Sequence, residues 1–230
     1  MIRIDKAISS MGLGSRKDIK KVLKEKRVTV NGVICTRPET KIEETDTICI
    51  DGQPILYEKY TYLMMNKPSG VVSSTESNDV NVIDLLEQRV QGLFPCGRLD
   101  KDTTGLLLIT NDGDLAHKLL APKHHVEKEY LVELKKEVTQ EDIEQIKQGV
   151  KDAEDQFLPA TYTPITSTQG TIILHEGKFH EIKRIFLALD NEVINLKRIR
   201  MKNLVLDESL EPGEYRPLTT EELKELKDLQ

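Results

Sequence analysis

Four consecutive apolar residues, Leu106 to Ile109, restrict the fold more than any other stretch of this chain. Before them runs a polar segment, Gly97-Arg98-Leu99-Asp100-Lys101-Asp102-Thr103-Thr104-Gly105, and after them comes Asn111-Asp112-Gly113. An apolar run that does not alternate, bounded by turn signals, suits a strand covered on both faces. Such a strand belongs inside a layered sheet with helices over it. A carboxylate on a short loop at the mouth of that strand is well placed for chemistry, because a rigid scaffold presents it. An Asp in a turn also commonly bonds nearby backbone N–H groups and nothing more.

At 230 residues the chain suffices for one large domain or two smaller ones, with 38% hydrophobic residues to fill a core. No apolar segment approaches the ~20 residues needed to cross a bilayer, so no membrane partner is expected. Met1-Ile2-Arg3-Ile4-Asp5-Lys6 lacks the apolar stretch of a secretory signal. Cys35, Cys49 and Cys96 are odd in number and widely spaced, which points to reduced thiols and a cytoplasmic location. His124-His125 has no ligand partner at metal-binding spacing, so no metal site is expected.

The net charge of −6 argues at first against a nucleic-acid partner. Segregation reverses that reading. Residues 1–41 hold eleven Lys or Arg against four acids, a surplus of seven, and the remainder therefore carries −13. A second basic cluster contains Lys178, Lys183, Arg184, Lys197, Arg198, Arg200 and Lys202. Local field, not the sum, governs binding, although basic runs are often solvated helix faces.

Ile4, Ala7, Ile8 and Met11 fall at helical spacing, predicting a helix over 2–11 stopped by Gly12. Ser15 with Asp18 opens a second helix, whose apolar stripe is Ile19, Val22 and Leu23. Arg16, Lys17, Lys20, Lys21 and Lys24 are left around its outer face. Asn31-Gly32 between Val28–Val30 and Val33-Ile34 predicts a two-residue hairpin. This module, with Gly14-Ser15-Arg16 and Arg27-Val28-Thr29-Val30-Asn31-Gly32, resembles the S4 RNA-binding domain over about residues 2–52. The resemblance implies that Arg16, Lys17, Lys20, Lys21 and Arg27 contact RNA.

Residues 53–60 read as a short linker, and from Thr61 to the C-terminus short strands and helices mix without regular alternation. Strands are predicted at Tyr62–Met65, 106–109, 130–134, 161–165, 171–174, 193–197 and 204–206. Helices are predicted at 114–120, 139–148, 180–189 and 219–229, and 66–70 reads as a turn-rich loop. The expected class is α+β, with domains 1–52 and 61–230 and a mixed, mainly antiparallel sheet in the second.

No Walker loop, Gly-x-Ser-x-Gly elbow, zinc spacing or cofactor fingerprint is present in the sequence, and no cofactor is expected. What remains is Asp100 on its loop, Tyr130 in Lys128-Glu129-Tyr130, and Lys183-Arg184 opening a helix. Lys183 lies one residue, about 100°, from the apolar stripe led by Ile182, at the edge of the core. Gly97-Arg98-Leu99-Asp100, Thr103-Thr104-Gly105-Leu106-Leu107, Glu127-Lys128-Glu129-Tyr130 and 177–184 resemble the RNA pseudouridine synthases of the Rsu branch. His124-His125, Lys178-Phe179-His180 and 212–216 are most similar to its small-subunit (16S) rRNA enzymes.

That resemblance implies a pseudouridine-synthase fold and a cofactor-free isomerisation of uridine in small-subunit rRNA. It implies Asp100 as the essential carboxylate, Tyr130 stacked on an extruded base, and Lys183 as the cation beside the aspartate, with Arg184 its competitor. Arg98, Lys178 and Arg184 are implied in RNA contact, and the enzyme is expected to act as a monomer on rRNA or an assembling ribonucleoprotein. Asn66 and Lys67 are expected to shape a loop near the site. Glu181 stands where relatives commonly have Gln, and 157–160 departs from a Lys-Pro-Ala-like segment; neither departure is expected at the site. Three alternatives stay open: the same reaction on large-subunit rRNA, a non-catalytic assembly factor, and a glycoside hydrolase built on Asp100 and Asp102.

Overall fold

The computed structural model describes residues 1–87 and 90–228 and divides into two compact units. The first comprises Met1–Thr61 and Leu86–Leu93; the second comprises Tyr62–Leu85 and Phe94–Gln230.

In the first unit the helices are Ile4–Ser10 and Arg16–Lys24. Ser15 and Asp18 form the reciprocal capping box that their spacing predicts. The N-terminal helix is shorter than 2–11 because Ile2–Arg3 pairs as a strand with Lys41–Ile42, which binds those backbone groups elsewhere. The hairpin pairs Thr29 with Ile34 and Val30 with Val33. Asn31 and Gly32 have φ of 50° and 80°, the two positive values that a type I′ turn requires. The stretch 53–60, expected as a linker, begins with strand Gln53–Ile55, paired to Ile48–Ile50, and Tyr57 is buried in the unit's core. Strand Ile48–Ile50 pairs with Val28–Val30 on one side, and the Asp51-Gly52 turn folds the next residues back onto its other side. Ile4, Ile8, Ile19, Leu23 and Ile48 fill that core.

The second unit is built on a nine-stranded sheet. Its main path runs Thr161–Pro164, Gln169–Leu174, Lys128–Leu134, Val193–Met201, Thr104–Thr110, Tyr62–Lys67, Tyr215–Pro217. Leu204–Val205 and Phe94–Pro95 pair at its margins. Among the described residues the one parallel pairing of this sheet joins Val193–Met201 to Thr104–Thr110, and its other pairings are antiparallel. Leu106 to Ile109 are wholly buried in the middle of this sheet.

Gly105 marks where the parallel strands approach. Its φ is 97°, and a Cβ there would lie 2.2 Å from the Arg198 carbonyl oxygen, so only glycine fits. The Tyr62 strand continues through Lys67 although 66–70 reads as a loop in sequence. Asn66 pairs with Leu106 and Lys67 with Gly105, so tertiary pairing overrides the turn composition that follows. The helices are Gly113–Leu120, Gln140–Gln148, Glu181–Ala188 and Thr220–Lys227, the first capped by Asp112. Leu229, placed in the last helix by sequence, lies outside the described residues. Tyr215–Pro217 escapes sequence reading because a three-residue strand carries no usable period.

Candidate active site

The Gly97–Thr103 segment leaves strand Phe94–Pro95 and enters strand Thr104–Thr110, and groups from the end of strand Tyr62–Lys67 and the loop after it fix its path. Ser73 Oγ donates to the Leu99 carbonyl at 3.0 Å and accepts from the Leu99 N–H at 3.1 Å. Gly70 N–H donates to the Lys101 carbonyl at 2.7 Å. Fully buried Lys67 donates through Nζ to the carbonyls of Pro68 (3.0 Å), Lys101 (3.3 Å) and Thr103 (2.8 Å). Burial pushes the Lys67 ammonium down to about 8, against the pull of Asp102 and Asp100. Lys67 and Ser73 thus hold the loop backbone on both sides of Asp100.

Tyr130 lies on strand Lys128–Leu134, where Lys128, Tyr130, Val132 and Leu134 alternate inward. It pairs with Arg198 on one side and Ile172 on the other, beside an irregularity between Glu129 and Tyr130. Lys183 comes from helix Glu181–Ala188, whose Ile182, Ile185 and Phe186 face the core. Being next to Ile182, Lys183 emerges at the rim, with its side chain 26% exposed.

These three elements meet. Arg98, Asp100, Tyr130, His180, Glu181 and Lys183 line one cleft, with Leu174 and Leu196 among its apolar walls. Lys183 Nζ lies 3.0 Å from Asp100 Oδ2 and donates to both Asp102 oxygens at 2.7 and 2.9 Å. Burial works to lower the Lys183 ammonium, but the hydrogen bonds to Asp102 and Asp100 carry it above its ordinary value. The same hydrogen bond from Lys183, opposed by burial, holds Asp102 below the usual carboxylate range. His180 Nε2 is 3.7 Å from the other Asp100 oxygen. Asp100 is thus a half-buried carboxylate between an ammonium and an imidazole, beside a tyrosine ring.

The other expected residues separate into two groups. Arg98 is exposed at the cleft mouth, and Lys17, Lys20 and Lys21 are exposed on the first unit; none of them forms an ion pair with a described residue. Arg16 instead pairs with buried Asp5 at 2.9 Å, and Arg27 pairs with Asp51 and Glu25. Lys178 donates to the Gln156 carbonyl at 2.7 Å. Arg184 turns away from Asp100 to Asp152 (2.7 Å) and Asp155 (2.8 Å) and lies over the Phe157 ring. Arg184 is therefore not the partner of Asp100: its guanidinium ties the 152–157 segment to the helix, and of the two adjacent cations it is Lys183 that reaches Asp100.

Sequence reading missed His180 as a neighbour of Asp100, and it kept Glu181 away from the site. Glu181 is a cleft residue, 5% exposed, with one oxygen accepting from the Lys178 N–H at 2.8 Å. Burial pushes its carboxyl up to about 7, the Lys178 N–H opposes this, and nearby Glu176 adds to it. The usable signal for both residues was position, since each stands within three residues of Lys183 at the start of the same helix.

Among the described residues no group of three His, Cys, Asp or Glu is arranged to hold a metal ion, and no helix is long and apolar enough to cross a membrane.

Residues 61–188 match the RNA pseudouridylate synthase family, and residues 2–48 match the S4 domain. An RNA pseudouridine synthase of Bacillus subtilis (strain 168), itself uncharacterized, is 43% identical with both chains covered in full. The ribosomal small subunit pseudouridine synthase A of Vibrio cholerae is 41% identical over 96% of this chain and 98% of its own. Its Escherichia coli (strain K12) counterpart is 40% identical over the same shares. A crystal structure of a pseudouridylate synthase superposes with a TM-score of 0.70 at 34% identity, covering 98% of this chain and 100% of that one.

Proposed function

The chain belongs to the RNA pseudouridylate synthase family and carries an S4 domain, and from that premise we propose that it isomerises a uridine of small-subunit rRNA with Asp100 as the essential carboxylate. The observation that carries the reading is the Asp100–Lys183 contact at 3.0 Å in a cleft also lined by Tyr130. Relatives named for the small ribosomal subunit, at 40–41% identity over nearly the whole chain, support the choice of RNA.

The reaction breaks the ribose C1′–N1 bond, turns the uracil over and forms C1′–C5. C5 loses a proton and N1 gains one, so no electrons are exchanged with any other molecule. Asp100 works at the sugar–base junction, either by adding to C1′ or by taking a proton from the ribose. The Lys183 ammonium, 3.0 Å from one of its oxygens, holds that carboxylate in position. Tyr130 offers an aromatic face to the base and a phenol near C5. The C1′–N1 bond is inaccessible within a stack, so the uridine must first be extruded into the cleft. Arg98 at the mouth meets the phosphates around it. The first unit, with Lys17, Lys20 and Lys21 exposed, holds the RNA, and the second performs the chemistry in the cytoplasm beside the assembling ribosome.

The test is to incubate the protein separately with undermodified small- and large-subunit rRNA and to map pseudouridine by carbodiimide-blocked primer extension. One site in small-subunit rRNA is expected; product confined to large-subunit rRNA overturns the substrate assignment. Asp100→Asn is expected to abolish product with RNA affinity within severalfold, and undiminished product formation overturns the catalytic assignment.

A further inference from the structure

We infer that Phe179, stacked on His180, is a docking platform for the nucleobase that flanks the extruded uridine, and that it is a substrate-positioning residue rather than a catalytic one. The inference rests on the assignment of the Asp100 cleft to the target nucleotide.

Three observations carry it. Phe179 is 75% exposed, so its ring is left outside the core. Its ring is stacked on His180, with centroids 3.7 Å apart and planes at 21°. His180 in turn reaches the reaction centre, with Nε2 3.7 Å from Asp100 and its side chain in the cleft wall. The two rings therefore form a short stack with its inner edge at the carboxylate and its outer part in solvent.

The stack is also held in place. His180 has a left-handed backbone, φ 51° and ψ 31°, immediately before helix Glu181–Ala188. A non-glycine residue in that region is uncommon and persists where its surroundings dictate it. Arg184 Nη1 donates to the Phe179 carbonyl at 3.4 Å, while Nε and Nη2 of the same guanidinium are anchored on Asp152 and Asp155.

The occupant follows from chemistry. Extruding one base from an RNA leaves its neighbours with an unpaired face beside the gap. An exposed aromatic ring next to the cleft is the right partner, because every nucleobase has a π-face and stacking does not require a particular sequence. Tyr130 inside the cleft and Phe179 outside it would then receive successive nucleotides, with the exposed cation Arg98 available for the intervening phosphate.

The experiment is single-turnover isomerisation by the full chain on the rRNA species it modifies, with half-saturating enzyme concentration and maximal rate measured separately. Phe179→Ala is expected to raise the half-saturating concentration by about 5- to 150-fold, with the maximal rate within about threefold. Phe179→Tyr, which keeps the ring, is expected to bind within about twofold of the unmodified enzyme. RNAs made abasic at either nucleotide adjoining the target uridine supply the second readout. For one of them the unmodified enzyme loses binding to the same degree, and Phe179→Ala loses nothing further. Unchanged half-saturation in Phe179→Ala overturns the inference, as do losses that multiply independently for both abasic RNAs. Failure of the catalytic assignment would instead show as turnover by Asp100→Asn, which none of these measurements affects.

Discussion

Replacing Lys67 by Met should remove a distinctive pH dependence of stability. The Lys67 side chain is fully buried, and its ammonium is lowered from an ordinary 10.5 to about 8 because burial outweighs the attraction of Asp102 and Asp100. Between those values the unfolded chain keeps a proton that the folded chain has already released. The unfolded state then binds more protons, so stability must rise with pH across that interval. The full rise is about 3 kcal/mol, of which roughly 1 kcal/mol falls between pH values of about 7 and 9. Methionine fills similar space and does not titrate. It also loses the three bonds to Pro68, Lys101 and Thr103, although the Lys101 carbonyl keeps the Gly70 N–H. Urea unfolding of both proteins, followed by far-ultraviolet circular dichroism at several pH values, isolates the effect as a difference. The unmodified protein should gain roughly 1 kcal/mol on the variant over that range. Parallel profiles, or a relative gain by the variant, would refute the reasoning.

Lys183→Met leaves Asp100 and Asp102 without their shared ammonium; a contact of 3.0 Å in a partly screened site predicts a 10- to 100-fold fall in kcat (about 1.4–2.8 kcal/mol), and turnover equal to the unmodified enzyme would count against it. Glu181→Gln should be nearly neutral to stability at pH 5 and stabilising at pH 8. A buried carboxyl pushed up to about 7 stays protonated in the folded state while the unfolded chain ionises, so stability is lost as pH rises through that interval, and pH-resolved unfolding of the variant checks this. Replacing Lys17, Lys20 and Lys21 together by Gln should reduce the slope of log affinity against log salt for rRNA by about 2 to 3, with the maximal isomerisation rate within twofold. An unchanged slope would remove these lysines from the interface.

The buried strand was legible because Leu106 to Ile109 show no alternation, and the capped helices because Ser15 and Thr139 stand three residues before an acid. Both are local signals. Lys67 was legible only as a loop residue, because Pro68, Ser69 and Gly70 dominate its neighbourhood. The pairing that places it in a strand comes from Gly105, nearly forty positions away. Helical periodicity put Lys183 at the edge of the core, but the roles expected of it and of Tyr130 came from motif resemblance. A Tyr on an alternating strand and a Lys beside an apolar stripe are ordinary sights, and nothing within either segment shows that the two converge on Asp100.

Charge shows the same limit most sharply. Lys183 and Arg184 are adjacent cations on one helix, yet the turn between them, about 100°, sends one to Asp100 and Asp102 and the other to Asp152 and Asp155. Arg16 and Lys17 divide likewise, one on buried Asp5 and one exposed on the surface. Counting basic residues therefore locates a field without saying which members can still accept an RNA phosphate. An arginine suits internal carboxylates because its planar fork can satisfy two of them at once, whereas a lysine is a single point charge on a flexible stem. In this chain Arg16, Arg27, Arg184, Arg200 and Arg216 are all committed to acids, while the helix lysines 17, 20 and 21 are not. Among the described residues, the unpaired exposed lysines with Arg37 and Arg98 are consequently cations left to meet the substrate, and the salt dependence of binding should follow them rather than the total basic count.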